Sequence, residues 1–402
     1  MKKTTIFLIS GKNPLSYAGG YATYSKSLAS NLTKLKFKVE IFCVGDNSSI
    51  QKTSIGTINT VGNKFLSSIF NNVEMAGLII YAPILALAIL KKLDGEKTNL
   101  IWGVGPWGLG GLICKLNPKF RVKLYCDYFT TVNHEFNGTL QAVNFEDYGL
   151  LVVKNKLIEY LLIKPYSLLE RLLLKNSDKI IVHYNSTKTI ISKEMNINQK
   201  RFIHLPYSLS YFNKIELKRT FDSKIPKLLL ISRHDGRKGI NYLLHALKML
   251  ENRGIEYEAV IAGGGQMFEQ NKELHHRLKI ENVKLIGKID NKNDLLKTFD
   301  YFVFPSVEEG SGSLSILEAM SYGMAIVSTN VDGLSEDLAN GYSALLVPPK
   351  DPKELADAME KLINNPKLAV KLGQNAKKEY LKNHNPENVK KEIGKLIWDI
   401  VN

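Results

Sequence analysis

The chain alternates short, near-continuous apolar segments with longer segments of helical periodicity, and this alternation restricts the fold more than any other feature. In residues 1–206 the apolar, β-type runs fall at 5–9, 39–44, 100–102, 122–126 and 179–183. In the remainder they fall at 228–232, 257–262, 283–286, 301–305, 325–328 and 344–347. A strand that is apolar at every position must be covered on both faces, as in a parallel sheet flanked by helices. Two such sets in 402 residues predict an α/β protein with two doubly wound, Rossmann-like domains facing a cleft. The polar stretch 206–226, with Lys214, Lys218, Arg219 and Lys224, sets the boundary, giving domains at 1–206 and 207–384. After Asn385-Pro386, the spacing of Val389, Ile393, Ile397 and Val401 predicts a final helix over 385–402 that can lie across either domain.

Composition narrows the class. Hydrophobic residues make up 44% and charged residues 23%, which excludes disordered, collagenous and disulfide-scaffold proteins. Cys43, Cys114 and Cys126 are odd in number, far apart and without a Cys-x-x-Cys pair, so neither disulfides nor a zinc cage is expected, and a reducing compartment fits. The run Ile6-Phe7-Leu8-Ile9 is too short for a signal peptide and reads as a first buried strand. Residues 75–90 are continuously apolar but shorter than a membrane span and contain Pro83, so they read as a core helix, with dipping into a membrane surface as the lesser alternative. Residues 150–163 are also strongly apolar, Pro165 is expected to end that helix, and Ser167 with Glu170 reads as a capping box opening the next; the two helices are expected to pack against a sheet with their lysines outward, with a membrane interface as the lesser alternative.

Charge is unevenly distributed. Residues 1–206 carry 26 basic and 13 acidic side chains, whereas residues 207–402 carry 28 and 26. A basic first half suggests an anionic partner such as acidic lipid or a phosphorylated substrate, with a solvated lysine-rich surface as the plain alternative. The positive charge is dispersed and no nucleic-acid motif is present, so nucleic acid is not expected as a partner.

Four loops carry candidate chemistry. Gly19-Gly20 lies between the first strand and a helix, where glycine lets backbone amides approach an anion. Gly103-Val104-Gly105-Pro106-Trp107-Gly108 fits Gly-x-Gly-x-x-Gly, with Asp127 at about the spacing of a ribose-binding acid. It follows the third strand rather than the first, and Pro106 sits where an amide should face the pyrophosphate, which disfavours a nicotinamide cofactor. Arg233 and Lys238 flank a loop at the carboxyl end of a strand, where ligands bind in open α/β sheets. Arginine grips phosphate bidentately and lysine adds a point charge. Finally, the loop Glu308 to Ser313 runs from a strand into a helix. Ser311 or Ser313 is placed to cap that helix, and Glu318 sits in its first turns, where a carboxylate can accept from ribose hydroxyls.

At these residues the chain resembles the retaining glycosyltransferases of family 4, which have the GT-B fold. The resemblance rests on the Arg-x4-Lys-Gly loop, residues 262–265, Leu317-Glu318-Ala319-Met320 followed by Gly323, and Gly341 to Leu346-Val347-Pro348-Pro349. It covers most of the second half; in the first half it rests on the order of elements and on Gly19-Gly20. It implies a nucleotide-sugar donor on the second domain, a glycan or lipid-linked acceptor on the first, and a last helix that crosses back to the first domain. It further implies that Arg233 and Lys238 neutralise the diphosphate. Gly20, Gly264 and the amides of Gly310, Ser311, Gly312 and Ser313 would lie against the donor, Glu318 against the ribose, and the backbone near Ile289 against the base. No Asp-x-Asp occurs, so fixed cations are expected in place of a divalent metal, and no cofactor is expected.

The chain departs from that family twice. The paired glutamates of the family are eight positions apart; here Glu309 lies nine and Glu308 ten before Glu318, and Gly310 takes the intervening place. A one-residue bulge would bring Glu309 to the donor sugar. Where many members have His-Asp at the end of the fourth strand, this chain has Cys126-Asp127; the role passes to Asp127 or to His134 in the loop behind it. The expected function is a metal-independent hexosyltransferase of cell-envelope polysaccharide or glycolipid synthesis, cytoplasmic and docking peripherally on the membrane's inner face. The alternatives are a non-catalytic nucleotide-binding scaffold on the same fold and, more remotely, a nicotinamide-dependent oxidoreductase.

Overall fold

The computed structural model describes residues 4–16, 20–65, 74–142, 145–208, 219–221, 223–289 and 291–401. The chain forms two compact units. The first comprises residues 1–131, 162–211 and 385–402, and the second 132–161 and 212–384. Residues 132–161, placed in the first domain by the sequence boundary, group with the second unit, and the C-terminal segment groups with the first.

The first unit holds an eight-stranded sheet. Its strands are β1 (Thr5–Lys12), β2 (Lys38–Val44), β3 (Asn47–Thr53), β4 (Gly56–Asn63), β5 (Thr98–Val104), β6 (Arg121–Asp127), β7 (Lys179–Val182) and β8 (Phe202–His204), in the order β3-β4-β2-β1-β5-β6-β7-β8. All neighbours run parallel except the edge pair β3–β4. In β1, Ile6 to Ile9 are all buried, as expected for a strand with helices on both faces. One face is covered by helices Glu74–Leu90, Leu109–Lys115, the end of Phe145–Asn176, and Asn185–Met195. They share one core with Phe7, Ile9, Ile101, Leu124, Cys126, Ile180 and Val182. On the helix Gly20–Lys34 lies the last helix, Pro386–Val401. Val389, Ile393 and Ile397 are buried, and Gly394 lies so close to the Leu35 side chain that a Cβ there would touch it at 3.4 Å.

The second unit holds an all-parallel, six-stranded sheet of β9 (Lys227–Ile231), β10 (Glu258–Ala262), β11 (Val283–Ile286), β12 (Tyr301–Phe304), β13 (Ala325–Thr329) and β14 (Leu345–Val347). Its order is β11-β10-β9-β12-β13-β14. The chain winds outward from β9 to one edge, returns to β12 beside β9, and winds to the other edge. The order reverses between β9 and β12, and the carboxyl ends of such a strand pair are the position where doubly wound sheets bind ligands.

Two local expectations fail. The helix does not end at Pro165; Phe145–Asn176 is continuous through it. Proline forfeits one backbone bond, and burial of Ile163, Leu173 and Leu174 on the helix's inner side outweighs that loss. Glu170 therefore lies mid-helix rather than in a capping box, buried, accepting the Tyr128 hydroxyl at 2.8 Å. The polar boundary stretch also contains an anchored residue. Arg219 has 4% of its side chain exposed and donates to the carbonyls of Leu296, Phe299 and Tyr322 and to Asp300.

Candidate active site

The second unit's switch point is built from two loops and one helix. The loop after β9 tightens into a 3-10 turn at Gly236–Lys238, capped by Asp235, whose side chain accepts the Arg237 amide. Gly239 then takes a left-handed conformation at φ +64 and opens the helix Ile240–Asn252. A Cβ at Gly239 would sit 2.1 Å from the Pro305 carbonyl oxygen, so only glycine lets this loop close on the one after β12. Gly263 and Gly265 play the same part beside it, with Cβ positions 1.8 Å from the Ser232 oxygen and 2.3 Å from the His234 oxygen. At Gly264 a Cβ would find only ordinary contacts.

This packing sets three cations among four carboxylates. Arg233 is the exposed one, 3.4 Å from both Glu135 and Asp235. Arg237 is nearly buried and lies 2.7 Å from Glu135, 3.6 Å from Asp235 and 3.3 Å from Glu308. Lys238, equally buried, pairs with Glu309, and its ammonium lies 5.8 Å from the centre of the Phe304 ring. Ser306 donates to the same Glu309 oxygen at 2.6 Å. Burial pulls the Lys238 ammonium below its ordinary value, and the neighbouring Arg237 charge adds to the effect. Burial acts to raise the carboxyls of Glu135 and Asp235, but Arg237 and Arg233 outweigh it and hold both below the usual range. Glu308 behaves oppositely: burial pushes it up to about 7 against Arg237 and His134.

His134, on the helix Val132–Ala142, lies 3.3 Å from Glu308 and 3.4 Å from Asp332. Asp332 in turn accepts the amides of Glu309 at 2.9 Å and Gly310 at 3.0 Å. The donor atoms of His134, Glu308 and Asp332 lie within 4.8 Å of one another, the one potential metal cluster among the described residues. The donor set does not suit a cation: the Asp332 oxygen is already engaged by two amides, and the Arg237 guanidinium abuts Glu308. The cluster is an imidazole held between two carboxylates.

The loop entering the helix Leu314–Ser321 differs from its expected form. The Gly310 amide is bonded to Asp332 and so does not stand open. Ser313 holds the N-cap position without a side-chain cap bond, and the Ser311 hydroxyl turns to the Gly312 carbonyl at 3.4 Å. Ser311 and Ser313 are buried and Gly312 is half-buried. Glu318 is fully buried and pairs with Lys292. Ile289 follows β11 and is half-buried. The structure thus brings Arg233, Lys238, Glu309, Gly310 and His134 together. Asp127 lies in the other unit, and Gly19 lies outside the described residues. Gly20 opens its helix with open space where a Cβ would be. Glu135, Arg237 and Asp332 escaped the sequence reading. Arg237 alone was detectable, as a third basic residue in the same loop.

In the first unit Asp127 ends β6 with no exposed surface. One of its oxygens accepts from the Tyr24 hydroxyl at 2.8 Å and from the Trp102 indole at 2.6 Å; the other lies 3.6 Å from His183 Nε2. Burial raises its pKa to about 7, against the bonds from Tyr24 and Trp102. The Gly-x-Gly-x-x-Gly segment is accounted for by packing. A Cβ on Gly103 would sit 2.3 Å from the Gly108 Cα, one on Gly105 2.8 Å from the Tyr21 ring, and one on Gly108 2.8 Å from the Cys126 sulfur. The three cysteines are free and buried, and burial pushes their thiols up to about 11 for Cys43 and about 12 for Cys114 and Cys126.

The geometry invites comparison with known proteins. Residues 212–379 match the family described as glycosyl transferases group 1. The match falls within the second compact unit. Among curated relatives, an N,N'-diacetylbacillosaminyl-diphospho-undecaprenol alpha-1,3-N-acetylgalactosaminyltransferase of Campylobacter jejuni is 29% identical over 194 residues, 48% of this chain and 50% of that protein. The first two curated relatives are matched over 61% and 53% of their own lengths. Among solved structures, sucrose-phosphate synthase from Thermosynechococcus elongatus superposes with a TM-score of 0.77 at 19% identity, covering 99% of both chains. The Anabaena protein HepE in complex with UDP-glucose gives 0.69 at 15% identity, covering 98% of this chain and 99% of that one. The fold is therefore GT-B, and the cation-bearing loop 233–238 lies inside the matched segment.

Proposed function

We propose that the protein is a glycosyltransferase that moves a sugar from a nucleotide-sugar donor, bound by the group 1 domain, to a glycan or lipid-linked acceptor of a cell-envelope polysaccharide, with retention at the anomeric carbon. The observation that carries this reading is the convergence of Arg233, Arg237 and Lys238 at the carboxyl ends of β9 and β12. The relative from Campylobacter and the UDP-glucose complex of HepE support the same donor and acceptor classes.

The chemistry follows from the charges. When the bond from the anomeric carbon to the diphosphate oxygen stretches, negative charge grows on the leaving group. Fixed guanidinium and ammonium groups bind that charge more tightly than the ground state, and this difference lowers the barrier. Before donor binding the same cations are neutralised by Glu135, Asp235 and Glu309; the diphosphate takes over these partners. No divalent metal is required for the leaving group. Lys238 pairs with Glu309 near the donor sugar, and the acceptor hydroxyl attacks from the face the diphosphate leaves, passing its proton to the departing oxygen, which preserves configuration without a covalent intermediate. Glu318 faces the ribose and the backbone at Ile289 the base. Asp127, wholly enclosed, acts as a positioning residue by fixing Tyr24 and Trp102.

The direct test is release of nucleoside diphosphate from UDP-, GDP- and ADP-sugars in the presence of a lipid-linked or glycan acceptor. Acceptor-dependent release from one donor supports the reading. Tight donor binding without release in any combination would favour the scaffold alternative.

A further inference from the structure

We propose that the layer of helices on one face of the eight-stranded sheet is a docking surface for an anionic lipid bilayer. The helix Glu74–Leu90 buries Leu78, Tyr81, Ala82, Leu85, Ala86 and Ile89 in the core. Its opposite side carries Ile79, Pro83 and Leu87, spaced four residues apart, and all three are exposed, with Ile79 at 52% and Leu87 at 60%. A globular helix normally places polar residues there. The neighbouring helix Leu109–Lys115 packs on Ala82 and Leu85 through Gly110 and ends at Leu116, which is 70% exposed. On its other side Gly108 meets Leu173 of the helix Phe145–Asn176, whose outer side bears Pro165, Leu168 and Leu172. Three adjacent helices on the same core thus present leucine, isoleucine and proline outward.

The rim of this surface is mostly positive, and its exposed acid at these helices' ends, Asp178, is paired with Lys115 at 2.6 Å. Residues 75–93 and 101–126 contain no acidic side chain. Between 162 and 177 the one acid is Glu170, which is buried against Tyr128. The exposed charges in these ranges are Lys91, Lys92, Lys119, Arg121, Lys164, Arg171 and Lys175. Apolar side chains ringed by basic ones match the boundary between acyl chains and acidic head groups. A second copy seated face to face would bring these cations together, and a nucleic acid would leave the apolar stripe unsatisfied. Among the described residues no helix is long and apolar enough to cross a membrane, so the association is with the surface of the bilayer.

The test is flotation of the full chain with vesicles of equal parts phosphatidylcholine and phosphatidylglycerol, and with phosphatidylcholine alone. Binding to the acidic vesicles that weakens with salt is expected. The variant Lys164→Glu with Arg171→Glu and Lys175→Glu should lose affinity on the order of 100-fold. Leu87→Ser with Leu168→Ser and Leu172→Ser should lower it at least about 10-fold. Both variants should unfold at the wild-type temperature or above and keep their nucleotide-sugar thermal shift, which separates this surface from the donor site. Equal binding to the two vesicle types would overturn the proposal. So would undiminished binding by both variants, or a wild type that ignores vesicles and forms a dimer the leucine substitutions dissolve.

Discussion

Lys238 and Glu309 form an ion pair with 9% and 5% of their side chains exposed, joining the loop after β9 to the loop after β12. Removing one partner of such a pair leaves an uncompensated buried charge, at a cost of about 3–5 kcal/mol. Lys238→Met should lower stability by that order, whereas Lys238→Met with Glu309→Gln should recover most of it. Denaturant titration measures the stability. Sugar transfer should remain abolished in both, because stability and leaving-group stabilisation are separate demands on the same lysine.

Glu308 provides a pH signature. Its carboxyl is pushed up to about 7 by burial, with Arg237 and His134 opposing, so it changes charge near neutral pH. A pH–rate profile of the wild type should show an inflection near 7, and Glu308→Gln should remove it. An identical inflection in the variant would assign the titration to another group.

Asp127 affects stability. Its folded-state pKa of about 7 lies above the unfolded value of about 3.9. A raised carboxyl binds more protons folded than unfolded, so its stabilising contribution is complete below about 4 and is lost as pH rises to about 7. Melting temperatures of Asp127→Asn, compared with wild type across that window, should show the variant lacking this decline and gaining relative stability at neutral pH. Parallel curves for the two proteins would contradict the assignment.

Gly103 and Gly108 approach so closely that either methyl group would displace backbone or the Cys126 sulfur. Gly103→Ala should destabilise the fold by more than about 1 kcal/mol. A nicotinamide cofactor should give no thermal shift in the wild type. A clear shift with such a cofactor would revive the dinucleotide reading of this segment.

Much of the fold is written in the sequence because strands buried on both faces are apolar at every position. Each of the eleven runs read from the chain is a strand, from Thr5–Lys12 to Leu345–Val347. The strands that escaped the reading lack that pattern. Asn47–Thr53 is an exposed, antiparallel edge of polar residues, Gly56–Asn63 is rich in glycine, threonine and asparagine, and Phe202–His204 spans three residues. The site was legible where a single loop bears the chemistry, as at Arg233 and Lys238. It was not legible where the partner comes from far along the chain. Glu135 is 98 residues from Arg233, and Asp332 is 22 from the Gly310 amide it engages. Local spacing carries no trace of either contact, nor of the transfer of residues 132–161 to the second compact unit.

The central claim is that Arg233 and Lys238 bind the diphosphate of a sugar nucleotide. Isothermal titration of the preferred donor into wild type, Arg233→Ala and the stable Lys238→Met with Glu309→Gln variant tests it most directly. Charge-assisted bonds of about 1.5–3 kcal/mol each predict weakening of about 10- to 150-fold per substitution at Arg233 and at least as much at Lys238. Unchanged affinity in both folded variants would contradict the account.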